Sequence, residues 1–330
     1  MSGLKILDIR EATLEEWLYH WRECEYAVYF QSPWWGQIWE SYSEGYIKSK
    51  ADYISFSDGK SCIIPFGKSH LMKGISKVKS LSQGGTYGGP ISSQKLSLAH
   101  LECIKHYLLG LSTIRIKDNP YNPMFSTENE RGVVKDCTHR IPLKDGYQTS
   151  NWSNSHRRSL KKAIKEGVNV RVADCESDWN AYFKIYQKTL ERWGSSASSN
   201  YSKNLFDLIR MKPNTKLWIS CMGKKIISGA LILYSKDVAI YWHGASDEDF
   251  FNKRPNHILF KKILDDLTSN NYSYFDFNPS GGHSGVERFK EGFDSVKVDV
   301  FQLNKEPFSS RIVSKIDALI FKFLINRKNV

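Results

Sequence analysis

The sequence has no pair of cysteines at metal-binding or redox spacing. Its six cysteines occur singly, none belongs to a C-x-x-C motif, and no histidine cluster at metal-ligand spacing lies near them. Zinc and thioredoxin-like sites depend on such pairs, so the pattern predicts no metal site and reduced, mostly buried thiols. These residues are Cys24, Cys62, Cys103, Cys137, Cys175 and Cys221.

Long hydrophobic runs are missing as well. No window reaches the ~20 apolar residues that a membrane-spanning helix needs. The segment from Met1 to Trp17 lacks the apolar run flanked by basic residues that marks a signal peptide. We find no internal repeat and no low-complexity tract. These absences predict a cytoplasmic protein.

The sequence is long and carries a large positive charge. A chain of 330 residues, 41% of them hydrophobic, is longer than a usual single domain. Two domains of about 150 residues are therefore expected. The formal net charge of +12 favours an anionic partner, such as a nucleic acid, a phosphorylated ligand or an acidic membrane surface. Charge does not choose among these three.

Two aromatic segments supply candidate cleft residues in the first half. Trp35 belongs to a tryptophan stripe that follows Ser32-Pro33 at helical spacing, a pattern more typical of core than of a ligand platform. The glycine-rich segment from Gln83 to Pro90 is either a strand-exit turn or a loop that offers backbone N–H groups and the Tyr87 hydroxyl to a substrate. Trp35 and Tyr87 are thus candidate substrate-cleft residues.

The segment from Asn154 to Glu166 is predicted to form a basic helix that ends at Gly167. Its cations fall on two neighbouring rows, where like charges repel, and cations near a helix N-terminus oppose the helix dipole. Local stability therefore does not explain the pattern, and we interpret it as an anion site rather than as a solvated face. The candidate phosphate-binding residues are Arg157, Arg158, Lys161 and Lys162, with Lys165 on the same face.

The element order of the second half predicts a switch in strand direction. From Val168 the pattern predicts a strand, two helices, three antiparallel strands, a helix, a strand, a helix and a strand. The strands at 238–244 and 274–278 are connected through a helix that begins at Pro255, so they are predicted to be parallel. Ligands of open sheets favour the carboxyl ends of strands beside such a switch.

The segment from Tyr274 to Phe293 follows this switch and combines a strand, a glycine loop and a helix. Polar residues alternate with Phe275 and Phe277 along the strand. The glycines of the loop let backbone N–H groups approach a ligand. An ordinary strand-turn-helix corner fits the segment equally well when it is taken alone. The candidate residues here are Asp276, Asn278, His283, Phe289 and Lys290, with His243 on the neighbouring strand.

The element order and these motifs together resemble the GNAT acyltransferase fold, and more narrowly its FemAB-like branch, which has two GNAT-like domains in one chain. The resemblance covers most of the sequence. It rests above all on RFKEGF at 288–293 after FDF at 275–277, and also on the basic helix, on RPNH at 254–257, on SPWWGQIWE at 32–40 and on GGTYGGP at 84–90. It implies an α/β fold of tandem domains at 1–146 and 147–306, each a mixed, mostly antiparallel sheet flanked by helices.

The resemblance implies an N-acyltransferase. Family members transfer aminoacyl groups from tRNA to amines of peptidoglycan precursors, and relatives proposed to act in surface-polysaccharide pathways are expected to use other acyl donors. Phe289 and Lys290 match the family's Phe-Lys pair, and Lys290 is expected to hold a donor phosphate or the developing oxyanion. Asp276 is expected either to orient or deprotonate the amine, or to be a buried structural acceptor. His283 and His243 are weaker candidates for the base.

The acyl donor stays open and is expected to be a co-substrate, not a tightly bound cofactor. GNAT enzymes hold the CoA pyrophosphate on a glycine-rich loop before the crossover helix, but residues 251–256 here have the sequence FNKRPN. Arg254 and Asn256, with Lys253 and the helix N-terminus, are the phosphate-binding candidates there. The missing glycines favour aminoacyl-tRNA. The lack of space between Trp193 and Tyr201 for the helical arm of some peptidoglycan-bridge enzymes favours acyl-CoA.

Two further interpretations stay open. One is an acyl-CoA-dependent N-acetyltransferase acting on an amino sugar, and the other is a non-catalytic RNA- or anion-binding protein. Residues 307–330 are predicted to form an amphipathic helix that either docks on the protein or lies on an acidic membrane surface. The second choice suits a lipid-linked saccharide or peptide acceptor and a peripheral position at the inner membrane face.

Overall fold

The structure is a computed structural model that describes residues 3–71, 76–126, 132–144, 146–194 and 200–305. The chain divides into two compact units. Unit 1 comprises Met1–Asp136 together with the residues from Asp299 onward, and unit 2 comprises Cys137–Val298. The predicted boundary at residues 146 and 147 lies inside unit 2. The predicted helix at 307–330 lies outside the described residues.

Unit 1 is built on a mixed sheet, and antiparallel neighbours predominate. Its helices are α1 (Leu14–Glu23), α2 (Pro33–Tyr42) and α3 (Leu98–Gly110), and its strands are β1 (Ile6–Glu11), β2 (Ile47–Phe56), β3 (Ser61–Leu71), β4 (Ser76–Ser80), β5 (Tyr87–Gly88) and β6 (Ile114–Asp118). The strand β13 (Val296–Lys305) also contributes, through its residues after 298. The order is β1-β2-β3-β4-β6-β13, with β5 beside β6, and β4 and β5 run parallel to β6.

Unit 2 also has a mixed and mostly antiparallel sheet. The helices are α4 (Asn154–Lys165), α5 (Glu176–Trp193), α6 (Lys203–Arg210), α7 (Pro255–Ser269) and α8 (Ser284–Glu291). The strands are β8 (Asn169–Val172), β9 (Thr215–Met222), β10 (Lys225–Tyr234), β11 (Val238–Ser246) and β12 (Tyr274–Asp276), with the end of β7 (Val133–Pro142). The order is β7-β12-β11-β10-β9-β8, and only β11 and β12 are parallel within this described sheet. The predicted fold class and the predicted parallel pair are confirmed.

Local signals in the sequence fix the helix starts. The Ser32 hydroxyl accepts from the Trp35 N–H at the start of α2, and Ser153 accepts from the His156 N–H at the start of α4. Pro255 occupies the first position of α7, where a missing N–H costs nothing. None of the helices in the described ranges has the length and apolar character that crossing a membrane requires.

Helices cover both faces of the unit 2 sheet. Leu160 of α4 and Ile263 of α7 share a buried cluster with Ala230 and Ile232 of β10. Gly229, on the alternate side of β10, instead faces the ring of Tyr182 from α5. The sheet is therefore enclosed between α4 and α7 on one face and α5 on the other, which leaves the ends of its strands for a site.

Candidate active site

A cavity opens where the parallel strands β11 and β12 stop pairing. Their last paired residues are Ile240 and Asp276. Beyond this pair, residues 241–244 and 277–280 line a cavity of about 670 Å³. Tyr186 and Trp193 of α5 close it, together with residues 283–286 and Lys290. A volume of this order accommodates a small organic ligand.

A bulge in β11 shapes one wall. Leu231 of β10 pairs with His243, whereas the next residue, Ile232, pairs with Tyr241, so the register shifts by one residue at Trp242. A bulge of this kind bends a strand and changes the direction of its side chains. Trp242 and His243 both line the cavity.

Asn278 also lines the cavity and is held from two sides. Its backbone has φ of 60°, the left-handed conformation that a residue with a Cβ seldom adopts. Asp276 Oδ1 accepts from the Asn278 N–H at 2.7 Å, and Lys290 Nζ donates to the Asn278 carbonyl oxygen at 2.5 Å. The Asn278 side chain donates to the Tyr241 carbonyl oxygen at 3.3 Å and so bridges the two diverging strands.

Asp276 and Lys290 are buried beneath this wall. Asp276 has no exposed surface, and its Oδ1 also accepts from the Thr138 hydroxyl at 2.6 Å. Lys290 is 3% exposed but contributes to the cavity lining. Of the two alternatives predicted for Asp276, this geometry favours the buried structural acceptor.

His243 lies in an aromatic surround. Its ring centroid is 4.5 Å from that of Tyr186 and 5.0 Å from that of Phe206, and its Nδ1 lies 2.6 Å from the Tyr182 hydroxyl. Burial lowers the pKa of His243 to about 3, so the imidazole is neutral at ordinary pH. His283 also lines the cavity but is exposed.

Phe289 packs away from the cavity, although it precedes Lys290. Its ring lies 5.0 Å from Phe293, 5.3 Å from His156 and 5.6 Å from His257. The His156 Nε2–H donates to the Phe289 carbonyl oxygen at 2.9 Å. The predicted catalytic residue Phe289 is therefore a packing residue that anchors α8, and its predicted place at the reacting centre is corrected.

Comparison with known proteins agrees with this geometry. Residues 150–291 match the family model of the acetyltransferase (GNAT) domain. The matched residues lie within unit 2 and make up most of it. The resemblance inferred from the sequence is confirmed, and acyl transfer is the class of reaction that the match supports.

Three solved structures share the fold over most of the chain. FemX has a TM-score of 0.68 at 12% identity and covers 89% of this chain and 97% of its own. The C-terminal domain (DUF2156) of a putative lysylphosphatidylglycerol synthetase from Agrobacterium fabrum has a TM-score of 0.55 at 12% identity, with 93% and 97% covered. L-PGS from Bacillus licheniformis has a TM-score of 0.51 at 14% identity, and the match covers 88% of this chain and 96% of its own. A comparison with curated protein sequences gave no match.

The basic face of α4 is open to solvent. All five of its cations are exposed, and Arg157 donates to the Asn154 side chain within the same helix. The other four form no ion pair within the described ranges. They are Arg158, Lys161, Lys162 and Lys165. We call these five residues the α4 basic face.

The segment before α7 forms a short 3₁₀ turn, not a glycine-rich loop. Residues 248–253 form a 3₁₀ turn, after which Arg254 adopts φ of 57° without being glycine. Lys253 pairs with Glu166 at 2.7 Å, and Asn256 Oδ1 accepts from the Ser246 hydroxyl at 2.9 Å. Arg254 is the exposed member of the three predicted phosphate-binding residues here, whereas Lys253 and Asn256 already have protein partners.

Trp35 and Tyr87 lie in the core of unit 1. Both have no exposed surface, and both contact Phe30, with ring centroids 5.1 and 6.0 Å away. The Trp35 indole N–H donates to the Gln83 carbonyl oxygen at 3.2 Å, which ties α2 to the glycine-rich segment. A side chain without exposed surface offers nothing to a ligand, so the expectation that these two residues face a cleft is corrected.

Several residues of the candidate site were not predicted. Tyr182 binds His243, and Thr138 binds Asp276 across 138 residues of sequence. His139 is fully buried, with Nε2 3.6 Å from Glu291 Oε1. Burial, and then the charge of Lys290, lowers the pKa of His139. No short-range pattern marks these residues, because the fold brings them to the site from distant parts of the chain.

One further group of potential metal ligands lies at the start of α5. Asp174, Cys175 and Asp178 bring their ligand atoms within 4.8 Å of one another. Arg171 donates two hydrogen bonds to Asp178, at 2.5 and 2.7 Å. The arginine already supplies the positive charge that this group would otherwise draw from an ion.

Proposed function

We propose that this protein transfers an acyl or aminoacyl group to an amine of a cell-envelope precursor, with the cavity between β11 and β12 as the reaction site. The observation that carries the proposal is the position of this cavity. It lies in a GNAT domain, at the carboxyl ends of the parallel strands, with Lys290 and His243 in its lining.

The cavity suits an amine that attacks in its neutral form. Its described lining contains aromatic side chains, a lysine and two histidines, and no carboxylate among the lining residues. A carboxylate would stabilise the ammonium form, which has no lone pair for attack, so this lining favours the free amine. Aromatic rings such as those of Trp193 and Trp242 suit the apolar face of a sugar ring. An amino sugar or a peptide amine in an envelope precursor fits both features.

Lys290 is proposed to stabilise negative charge at the reacting centre or on the donor. Its ammonium has three N–H donors, so the bond to Asn278 does not by itself use up the group. Where a bound substrate excludes water, such a charge acts more strongly than it would in solution. Asp276 is proposed to keep Asn278 in place rather than to take the proton of the amine.

Aminoacyl-tRNA is the donor that the surface features favour. The α4 basic face presents exposed cations that, apart from the Arg157 contact with Asn154, have no hydrogen-bonded or ion-paired side chain in the described ranges, as phosphodiester binding requires. The stretch before α7 has no glycine and directs only Arg254 of its predicted phosphate-binding residues into solvent. One structural neighbour is named for lysylphosphatidylglycerol synthesis, which places aminoacyl transfer to a lipid among the reactions to test. Residues 307–330 stay a predicted membrane contact for such an acceptor.

Titration of the full chain by calorimetry separates the donors. We expect charged tRNA to bind with a strong dependence on salt, and acetyl-CoA to bind weakly or not at all. Tight binding of acetyl-CoA would overturn the tRNA assignment in favour of an acetyltransferase. Transfer of a labelled acyl group to amino-sugar and peptide amines then tests the reaction. Binding of tRNA without transfer to any amine of either class would support the non-catalytic alternative.

A further inference from the structure

The pair formed by Tyr182 and His243 fixes where the imidazole carries its hydrogen. Tyr182 is fully buried, and burial raises the pKa of its hydroxyl well above the ordinary value, so the group keeps its proton. A buried O–H needs an acceptor. The described part of the chain gives this hydroxyl one hydrogen-bond partner, His243 Nδ1 at 2.6 Å.

Only one assignment satisfies both groups. If Nδ1 carried the hydrogen and donated to Tyr182, the tyrosine O–H would be buried without an acceptor, at a cost of about 1 to 3 kcal/mol. If Tyr182 donates to Nδ1, the buried hydroxyl hydrogen has an acceptor and Nδ1 has a donor. A neutral imidazole has one N–H, so that hydrogen then lies on Nε2. His243 thus presents an N–H donor, not a lone pair, as its remaining polar group.

This donor belongs to a side chain of the cavity wall. His243 lines the cavity and follows the bulge at Trp242. Gly229 makes room for Tyr182, because a Cβ there would lie 2.6 Å from the tyrosine ring. Packing therefore holds the tyrosine against the imidazole at the cavity wall. A fixed donor in apolar surroundings needs no reorganisation to stabilise a developing oxyanion.

We propose that His243 is a catalytic hydrogen-bond donor to the carbonyl oxygen of the transferred acyl group, and that Tyr182 is the positioning residue that sets its tautomer. The role in catalysis rests on the proposed function. His243 is accordingly not the general base, in contrast to the role considered from the sequence.

The step balances without proton transfer to His243. The lone pair of the neutral amine forms the N–C bond, and the π pair of the carbonyl moves to the oxygen, which the His243 Nε2–H stabilises. Collapse re-forms the C=O bond and breaks the bond to the leaving group, a thiolate sulfur of CoA or a ribose oxygen of tRNA. The leaving group departs with the electron pair and takes up the proton that the amine nitrogen loses.

The tautomer is measured directly by nitrogen NMR of the full chain labelled at histidine, with the His243 signals assigned from their loss in His243→Leu. We expect an Nε2–H tautomer that does not titrate between about pH 5 and 8. In Tyr182→Phe, which lacks the hydroxyl, a mixture of tautomers is expected. An Nδ1–H tautomer in the wild-type chain, or an imidazole that titrates in this range, would overturn the proposal.

Kinetics test the role. In His243→Leu we expect kcat to fall about 10² to 10³-fold with KM changed little, because the donor acts on the transition state. His243→Gln, whose side-chain amide also donates, should recover part of the rate. The profile of kcat against pH should have the same shape in the wild type, His243→Leu and His243→Gln. Loss of a general base would instead remove one limb of that profile. Equal rates in His243→Leu and the wild type would refute the role.

If the wild type turns over no donor, the proposed function fails, and the NMR measurement still decides the assignment of the hydrogen because it needs no substrate.

Discussion

Lys290 Nζ lies 2.5 Å from the carbonyl oxygen of Asn278, and this bond ties the helix α8 to the end of β12. On the other side of the same residue, Asp276 accepts from the Asn278 N–H at 2.7 Å. Two of the catalytic candidates from the sequence, Asp276 and Lys290, thus bind the same residue of the cavity wall. Their first physical effect is to hold that wall, and any effect of Lys290 on the reaction depends on this arrangement.

Replacing Lys290 by methionine should affect both stability and activity. Lys290→Met keeps an apolar stem but leaves the Asn278 carbonyl oxygen without this donor, so the free energy of unfolding should fall by about 1 to 3 kcal/mol. Acyl transfer should fall by about 10²-fold or more. Urea unfolding and a transfer assay measure the two effects. The control, Lys262→Met at an exposed position of α7, should change neither; a Lys290→Met protein as stable and active as the wild type would contradict this account.

The backbone conformation of Asn278 predicts an unusual order of stability. Asn278→Gly and Asn278→Ala both remove the bond to the Tyr241 carbonyl oxygen, but only alanine places a Cβ at φ of 60°. The glycine variant should therefore be more stable by about 1 to 2 kcal/mol in urea unfolding. At Asn270, where φ is −97°, glycine should give no such advantage over alanine. Equal stability of the two Asn278 variants would show that the conformation is not held as described.

His257 should make unfolding of the protein sensitive to acid. Burial, followed by the nearby His156, lowers the pKa of His257 to about 4, whereas an imidazole in the unfolded chain titrates near about 6.5. Between these values the unfolded state binds more protons, so the stability present at neutral pH is lost on acidification, by up to about 1.4 kcal/mol per pH unit.

Urea unfolding at several pH values tests this dependence. His257→Leu should flatten the slope between about pH 4 and 6.5, because the leucine binds no proton. His106→Leu, at an exposed position of α3, should leave the slope unchanged. An unaltered slope in His257→Leu would mean that this buried histidine does not set the pH dependence.

The α4 basic face should contribute to donor binding through charge. The double variant Arg158→Ala/Lys162→Ala should weaken binding of charged tRNA and lower the slope of log affinity against log salt by about 1 for each phosphate that the protein no longer neutralises. Lys224→Ala removes one exposed cation in the turn between β9 and β10; it serves as the control and should bind as the wild type does, whereas Arg158→Ala and Lys162→Ala should each weaken binding when made singly. Equal weakening of tRNA binding in both proteins would indicate a general charge effect and not a site.

Features set by neighbouring residues could be predicted from the sequence. The bounds of α7 follow from Pro255 and the apolar stripe, and the hairpin between β2 and β3 follows from the Asp58-Gly59 turn. The start of α8 at Ser284 is less apparent from the sequence. The first turn of α8 is hard to recognise in the sequence because it contains glycine and follows histidine, and neither is a strong helix former.

The residues of the candidate site show the same difference between features that a local pattern reveals and features that only the fold reveals. Lys290, Asn278, His243 and His283 were predicted and do line the cavity. Burial could not be read from the pattern, which explains why Trp35, Tyr87 and Phe289 were assigned to a ligand when they belong to packed cores. The partner of His243 lies 61 residues away on α5, so only the fold reveals it.

Blocking the cavity tests the central claim most directly. Gly285 lines the cavity, and a Cβ built there meets nothing within 4 Å, so Gly285→Trp should fill the space without disturbing the fold. Gly110→Trp, also in open surroundings but in unit 1, is the control. With transfer of a labelled acyl group as the readout and circular dichroism to confirm folding, we predict that the wild type and Gly110→Trp are active and that folded Gly285→Trp is not. Transfer at the wild-type rate by Gly285→Trp would contradict the account.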